Sequence, residues 1–163
     1  INGVSKGFAM TGWRIGYMVG PQSIIAACDK LQGQFTSGAN SIAQWAAVEA
    51  INGDMKPSIE MVSTFKKRRD MMVNLLREIP GIETDVPKGA FYLFPRVSSF
   101  YGKKLGQTII NNSLDFCDYI LNEALVSIVP GIAFGMDEHI RISYASSEEE
   151  LKEAISRIKK ALT

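Results

Sequence analysis

Proline and glycine punctuate the second half of this chain so closely that no long strand fits between them. Pro80 and Gly81 end a helical stretch, Pro87, Lys88 and Gly89 make a turn, Pro95 stops one short apolar run, and Pro130 with Gly131 stops another. Proline fixes φ and removes a backbone donor, so each piece must be a short strand or a helix that starts afresh. From Lys66 onward the pieces read helix, strand, strand, helix, strand, strand, helix. The first two strands, 82–86 and 90–94, suggest an antiparallel hairpin; the other two are 126–129 and 139–144. That order predicts an α/β sandwich with a mostly antiparallel sheet.

The helices of this region are written with different clarity. Ser147 to Leu162 has Ser147 and Glu150 as a capping box, glutamates in its first turn and Lys159 and Lys160 in its last. Ser113 to Ala124 turns Phe116, Cys117, Ile120, Leu121 and Ala124 to one side. Between Arg96 and Asn112 the pattern is weak, and Gly102 and Gly106 among polar residues read as a loop. The helix from Pro57 to Ile79 is apolar at both ends, with Lys66, Lys67, Arg68, Arg69 and Asp70 in the middle. Such a helix is suited to crossing from one packed unit to another, and its basic cluster reads as a solvated face or as an anion contact.

Earlier in the chain, Arg14 to Val19 reads as a strand. Pro21 to Phe35 carries a helical stripe of Ile24, Cys28, Leu31 and Phe35, with Gly33 placed to end it early. Residues 34–40 form a polar loop. Ser41 and Gln44 then make a capping box for a helix from Ile42 to Ile51, so apolar that burial on most sides is expected.

Composition narrows the classes. The 163 residues are 46% hydrophobic and 21% charged, with a net charge of +1. That balance fits a globular chain of one domain or one and a half, and it argues against nucleic acid as the main partner. No apolar run is long enough for a membrane span, and the first residues lack a signal peptide's basic and apolar regions. Cys28 and Cys117 fall on apolar helix faces, as expected of a cytoplasmic protein without a disulfide framework. His139 is the single histidine, which excludes a histidine-rich metal site.

Residues 1–16 carry the chemistry. Lys6 lies among small residues, and Arg14 follows eight positions later inside Gly12, Trp13, Arg14, Ile15, Gly16. A lysine amine condenses with an aldehyde once its neutral form is populated, and small neighbours leave room for a flat ring. Arg14 offers a planar fork to a phosphate, and the glycines let backbone amides approach the same anion. The alternative is a solvated lysine and a surface arginine.

This segment resembles the cofactor-anchoring signature of class I and II aminotransferases dependent on pyridoxal 5'-phosphate. The resemblance extends through 36–44, Gly89 to Tyr92, 129–135 and Arg141 to Ala145, and is nearest to the aspartate aminotransferase branch. It implies a fold type I enzyme in which Lys6 is catalytic and binds the cofactor, Arg14 and Ser5 hold the phosphate, and Arg141 grips the substrate's α-carboxylate. Many members have a serine three residues before the lysine where this chain has Gly3, which shifts phosphate binding toward Arg14. Arg141 lies on a strand whose other face carries Ile140, Ile142 and Tyr144, and burying it requires an anion, either that carboxylate or a nearby glutamate. Phe91, Tyr92 and Phe134 read as core.

The resemblance further implies amino acid and 2-oxo acid substrates, aspartate first, with aromatic and alanine aminotransferases as competitors. It also implies a homodimer in which residues 34–40 approach the partner's site. Family members are much longer. The chain is therefore expected to be a C-terminal fragment, with residues 1–65 from the large domain and 66–163 as the small domain, inactive alone. An aminotransferase-like effector domain of a transcription regulator is the alternative.

Overall fold

The computed structural model describes all 163 residues. They divide within a helix into two units, Ile1–Val62 and Ser63–Thr163. No helix is long and apolar enough to cross a membrane.

The first unit begins with β1 (Asn2–Gly3), α1 (Val4–Gly7), a short 3-10 turn at Thr11–Trp13 and β2 (Gly16–Tyr17). Then come α2 (Gln22–Phe35), α3 (Ser41–Asn52) and the opening turns of α4 (Lys56–Arg77). β1 and β2 are antiparallel, with Asn2 opposite Tyr17 and Gly3 opposite Gly16. The strand expected from Arg14 to Val19 is shortened to two residues because β1 offers only two partners. Gly33 does not end α2: the ladder runs on, and Thr36 N donates to the Gln32 carbonyl at 2.9 Å. The cap of α3 is Asn40, one residue before the expected serine. Its Oδ1 accepts from Ala43 N at 3.1 Å, while the Gln44 side chain turns back to the Ala39 carbonyl. Asparagine competes equally with serine for that position.

Burial in this unit is sparse. Val4, Ala43 and Ala47 are its buried apolar side chains. Ile42, Trp45, Val48 and Ile51 are exposed, Trp45 by 75%, so the expected burial of α3 contracts to two alanines one turn apart. On α2, Ile24, Leu31 and Phe35 are exposed and Cys28 is half-buried.

The second unit continues from α4 with β3 (Tyr92–Leu93), a 3-10 turn at Ser98–Phe100, β4 (Lys104–Leu105), β5 (Thr108–Ile109) and α5 (Ser113–Ala124). It ends with β6 (Val129–Pro130), a 3-10 turn at Gly131–Phe134, β7 (Ile140–Ser143) and α6 (Glu148–Leu162). Its main sheet has the order β3-β7-β6, and both pairings are antiparallel. Ile140, Ile142 and Leu93 point from one face of this sheet into a core with Met72, Leu76, Phe116, Ile120, Leu151, Ile155 and Ile158. Helices cover that face, and each large side chain fully buried there contributes about 1.5–3 kcal/mol. Asn112 caps α5 through Asp115 N at 2.9 Å. The capping box of Ser147 and Glu150 opens α6 as expected.

In four further places the structure departs from the expected pattern. Residues 82–86 form no strand, only a bridge between Glu83 and Arg96. β3 pairs with β7 instead, since the chain turns away through Pro87, which has no donor, and through Ala90 at φ 61. The strand 126–129 shrinks to Val129–Pro130 because Leu125, at φ 54, turns the chain first; Val126 and Ile128 pack on the core without ladder partners. Residues 96–112 are not an unpatterned loop. Val97, Phe100 and Ile110 are buried and a small hairpin joins β4 to β5, so this segment adds to the core at spacings that match neither helix nor strand. On α5, Leu121 is exposed and Tyr119 is buried in its place, its hydroxyl donating to the Ala161 carbonyl at 2.8 Å.

Two predictions follow from this packing. Gly131 N donates to the His139 carbonyl at 2.8 Å, and a Cβ on Gly131 would lie 2.1 Å from Met136 O and 2.2 Å from His139 O. Gly131→Ala is expected to destabilise the second unit by about 3 kcal/mol in urea denaturation. Burial, and then the Asp118 charge, push the Cys117 thiol up from 9.0 to about 12. A thiol whose folded pKa is raised contributes stability below the unfolded value and loses it as pH rises. Stability should therefore fall between pH 9.0 and about 12, and Cys117→Val should flatten that fall.

Candidate functional site

The first unit presents its candidate groups on two adjoining turns. Val4 is fully buried and anchors α1, which leaves Ser5 half-buried and the Lys6 side chain exposed. α1 packs against the turn at Thr11–Trp13. Arg14 closes that turn in the left-handed region, at φ 52 and ψ 50, a conformation that costs a non-glycine residue roughly 1–2 kcal/mol. Its Nη1 donates to the Thr11 carbonyl at 2.9 Å. That bond uses one of the guanidinium's five N–H donors, and the rest of the fork can serve an anion.

Arg14 also lines a cavity of about 640 Å³ together with Gly12, Trp13, Gln32 and Asn40, a volume within the range of small-molecule clefts. Lys6 and Ser5 are not part of that lining. Open space stands above Gly7 and Gly12, where an added Cβ would meet nothing within 4 Å. Gly3 is different: a Cβ there would press on the Ile15 carbonyl at 3.3 Å. The absent serine is thus matched by a close β1–β2 approach. An amine and a hydroxyl on α1, beside a turn that ends in an anion-binding fork, are the residue types that suit an aromatic aldehyde carrying a phosphate, as pyridoxal 5'-phosphate does.

The second unit holds Arg141 in the middle of β7. Val129 on β6 lies opposite Arg141, and Tyr92 on β3 lies opposite Ser143. Since alternate residues share a face, Arg141, Val129 and Tyr92 all stand on the side away from the core. The Arg141 guanidinium carbon lies 4.6 Å from the Tyr92 ring centre and 4.7 Å from that of Phe134. Phe94 meets Phe134 edge-on at 6.0 Å and stacks on His139 at 5.0 Å. None of the ion pairs within 4.0 Å involves Arg141. The structural pairing with a glutamate is therefore not made, and aromatic faces take that place.

Tyr92 and Phe134, read from sequence as core, are instead the neighbours of the arginine; Phe134 is 46% exposed. Strand alternation carries a signal for Tyr92, because Leu93 must face inward. Phe134 sits on a 3-10 turn, where no period points to it.

Residues 1–158 match the family described as aminotransferase class I and II. The chain is 52% identical over 168 residues to a bifunctional aspartate aminotransferase and glutamate/aspartate-prephenate aminotransferase of Petunia hybrida, across 99% of this chain and 35% of that protein. It is 49% identical to a probable aspartate/prephenate aminotransferase of Rhizobium leguminosarum bv. phaseoli, across 98% and 40%. The crystal structure of an aspartate aminotransferase from Rhizobium meliloti superposes with a TM-score of 0.95 at 48% identity, across 99% of this chain and 40% of that one. An aromatic aminotransferase from Pyrococcus horikoshii gives 0.89 at 38% identity, across 99% and 42%. The chain thus spans 35% to 42% of the length of these relatives. With a lysine and an arginine on adjoining turns in one unit, an arginine between aromatic rings in the other, and likeness along nearly its whole length, this chain belongs to the class I and II aminotransferases.

Proposed function

We propose that this chain is the C-terminal part of an aminotransferase dependent on pyridoxal 5'-phosphate, which moves an amino group between an amino acid and a 2-oxo acid. The observation that carries the reading is the placement of the exposed Lys6 on α1, packed against the turn that ends in Arg14. Aspartate is the proposed amino acid, on the strength of the names its relatives carry. The whole protein is proposed to be a cytoplasmic homodimer, with residues 1–65 belonging to a large domain and 66–163 forming the small one.

The cofactor supplies an aldehyde for a lysine amine and a ring that takes up the electrons released when a substrate C–H bond breaks. Lys6 is the group that holds it. The Lys6 amine, when not bound to the cofactor, would serve as general base for the proton on the substrate's α-carbon. Arg14 binds the phosphate through the donors left beside its bond to Thr11, and the Ser5 hydroxyl adds a further donor. Arg141 fixes the α-carboxylate and so sets which bond at the α-carbon faces the reaction.

Borohydride treatment of this chain with pyridoxal 5'-phosphate is expected to fix the cofactor's mass on the peptide containing Lys6. Label spread evenly over surface lysines, and unchanged in Lys6→Ala, would count against the assignment. Arg14→Gly separates binding from folding: it removes the fork and also relieves roughly 1 kcal/mol of left-handed strain. Its urea midpoint should not fall, while its affinity for pyridoxal 5'-phosphate drops about tenfold or more.

A further inference from the structure

The surroundings of Arg141 hold more information than its role as a carboxylate grip requires. A guanidinium can meet an anion along its N–H edge or across its flat faces, and only the edge gives two parallel hydrogen bonds. Here the guanidinium carbon stands 4.6 Å and 4.7 Å from two ring centres. Aromatic contacts in this unit extend to 6.2 Å, yet Tyr92 and Phe134 make none with each other. The guanidinium carbon stands over both ring faces.

Both rings are themselves held. Tyr92 packs on Phe91 at 4.2 Å and belongs to the sheet through the β3–β7 pairing. Phe134 is braced by Phe94, and its turn is tied to α5 where Ile132 N donates to Ser113 Oγ at 3.2 Å. A ring face is negative, so it attracts the cation and repels an anion that would approach across it.

We propose that Tyr92 and Phe134 are specificity-determining residues that confine the Arg141 guanidinium, so that it accepts a planar carboxylate along its N–H edge and disfavours tetrahedral anions of equal charge. The proposal rests on reading Arg141 as the carboxylate-binding residue. Neither ring needs to touch the substrate; each acts through the arginine, and both are positioning residues in that sense. A carboxylate fits the edge with its two oxygens in the guanidinium plane. A sulfonate that lays two oxygens in that plane must hold its third out of it, toward a negative ring face.

The test uses the whole 163-residue chain with acetate and methanesulfonate, which have equal charge and different shape. Binding is read by NMR at the Arg141 Nε–Hε resonance and at nearby amides. Wild type should prefer acetate. Tyr92→Leu and Phe134→Leu should each reduce that preference about fivefold, whereas Tyr92→Phe, which keeps the ring, should stay within about twofold of wild type. In wild type the Arg141 Hε should also resonate upfield of other arginines, because ring faces shield it. This last readout needs no variant to fold. An unshifted Hε, a wild type without preference, or leucine variants that fold and discriminate as wild type does would each overturn the proposal. Arg141→Met tests the underlying reading separately: if it binds acetate as wild type does, Arg141 is not the carboxylate-binding residue.

Discussion

Strand β7 is paired on both edges, and its alternation decides at once what the second unit buries and what it presents. Ile140, Ile142 and Tyr144 enter the core, while Arg141 and Ser143 leave it. A slip of one residue against β3 and β6 would exchange the two sets. It would place a guanidinium among Phe116, Ile120 and Ile155 without a partner, a cost of several kcal/mol, and it would expose the apolar residues as well. The hydrophobic core therefore aims Arg141. No separate device is needed to hold the arginine on the open face, since every residue that favours the core register favours that orientation too.

The turn that delivers Phe134 depends on a second set of contacts, with Ser113 at its centre. Ser113 is fully buried, and its hydroxyl meets Asp137 Oδ1 at 2.7 Å while accepting from Ile132 N. Asp137 Oδ1 also accepts from Ser113 N at 3.1 Å. On the other side the Tyr101 hydroxyl donates to the Asp137 carbonyl; burial, followed by the Asp137 charge, pushes that phenol up to about 12. A buried serine and a half-buried aspartate so satisfied join the start of α5, the turn and the segment after β3 into one polar network. Buried polar groups are tolerated when fully partnered, and in that condition they fix geometry more closely than apolar contacts do.

Much of this was legible in sequence because the signals were local. The capping box of α6, the limits of α5 and the alternation along β7 each lie within one element and obey a single period. The fold class rested on such elements, and the family resemblance on motif segments, residues 1–16 first among them. What escaped detection depended on partners distant in the chain. Residues 82–86 have strand-like composition, yet β7 claims β3 and leaves them one bridge. Val97, Phe100 and Ile110 reach the core from an irregular segment, so no periodicity marks them. Trp45 and Ile42 show the converse: an apolar helix was expected to be buried, and α3 buries only the two alanines spaced to meet its own unit. Motif segments name Lys6, Ser5, Arg14 and Arg141 as candidates, whereas nothing local names the rings around Arg141, since Phe134 comes from a turn.

A second arginine, Arg96, which lies just past β3 and outside the sheet, shows why those rings matter. Arg96 is met by Glu138 at 2.7 Å and by the Ser98 hydroxyl at 2.9 Å. Part of its fork is engaged, and an incoming anion would meet a carboxylate of equal charge beside it. Such an exposed pair contributes little to stability, but it does neutralise the site for binding. Arg141 keeps its charge uncancelled because aromatic faces attract a cation without supplying an acceptor for its N–H groups. The guanidinium is thereby held in position with its hydrogen-bonding edge unspent. An arginine meant to bind a carboxylate from outside needs that combination, and a glutamate in place of Tyr92 or Phe134 would hold the side chain equally well while removing its capacity to bind.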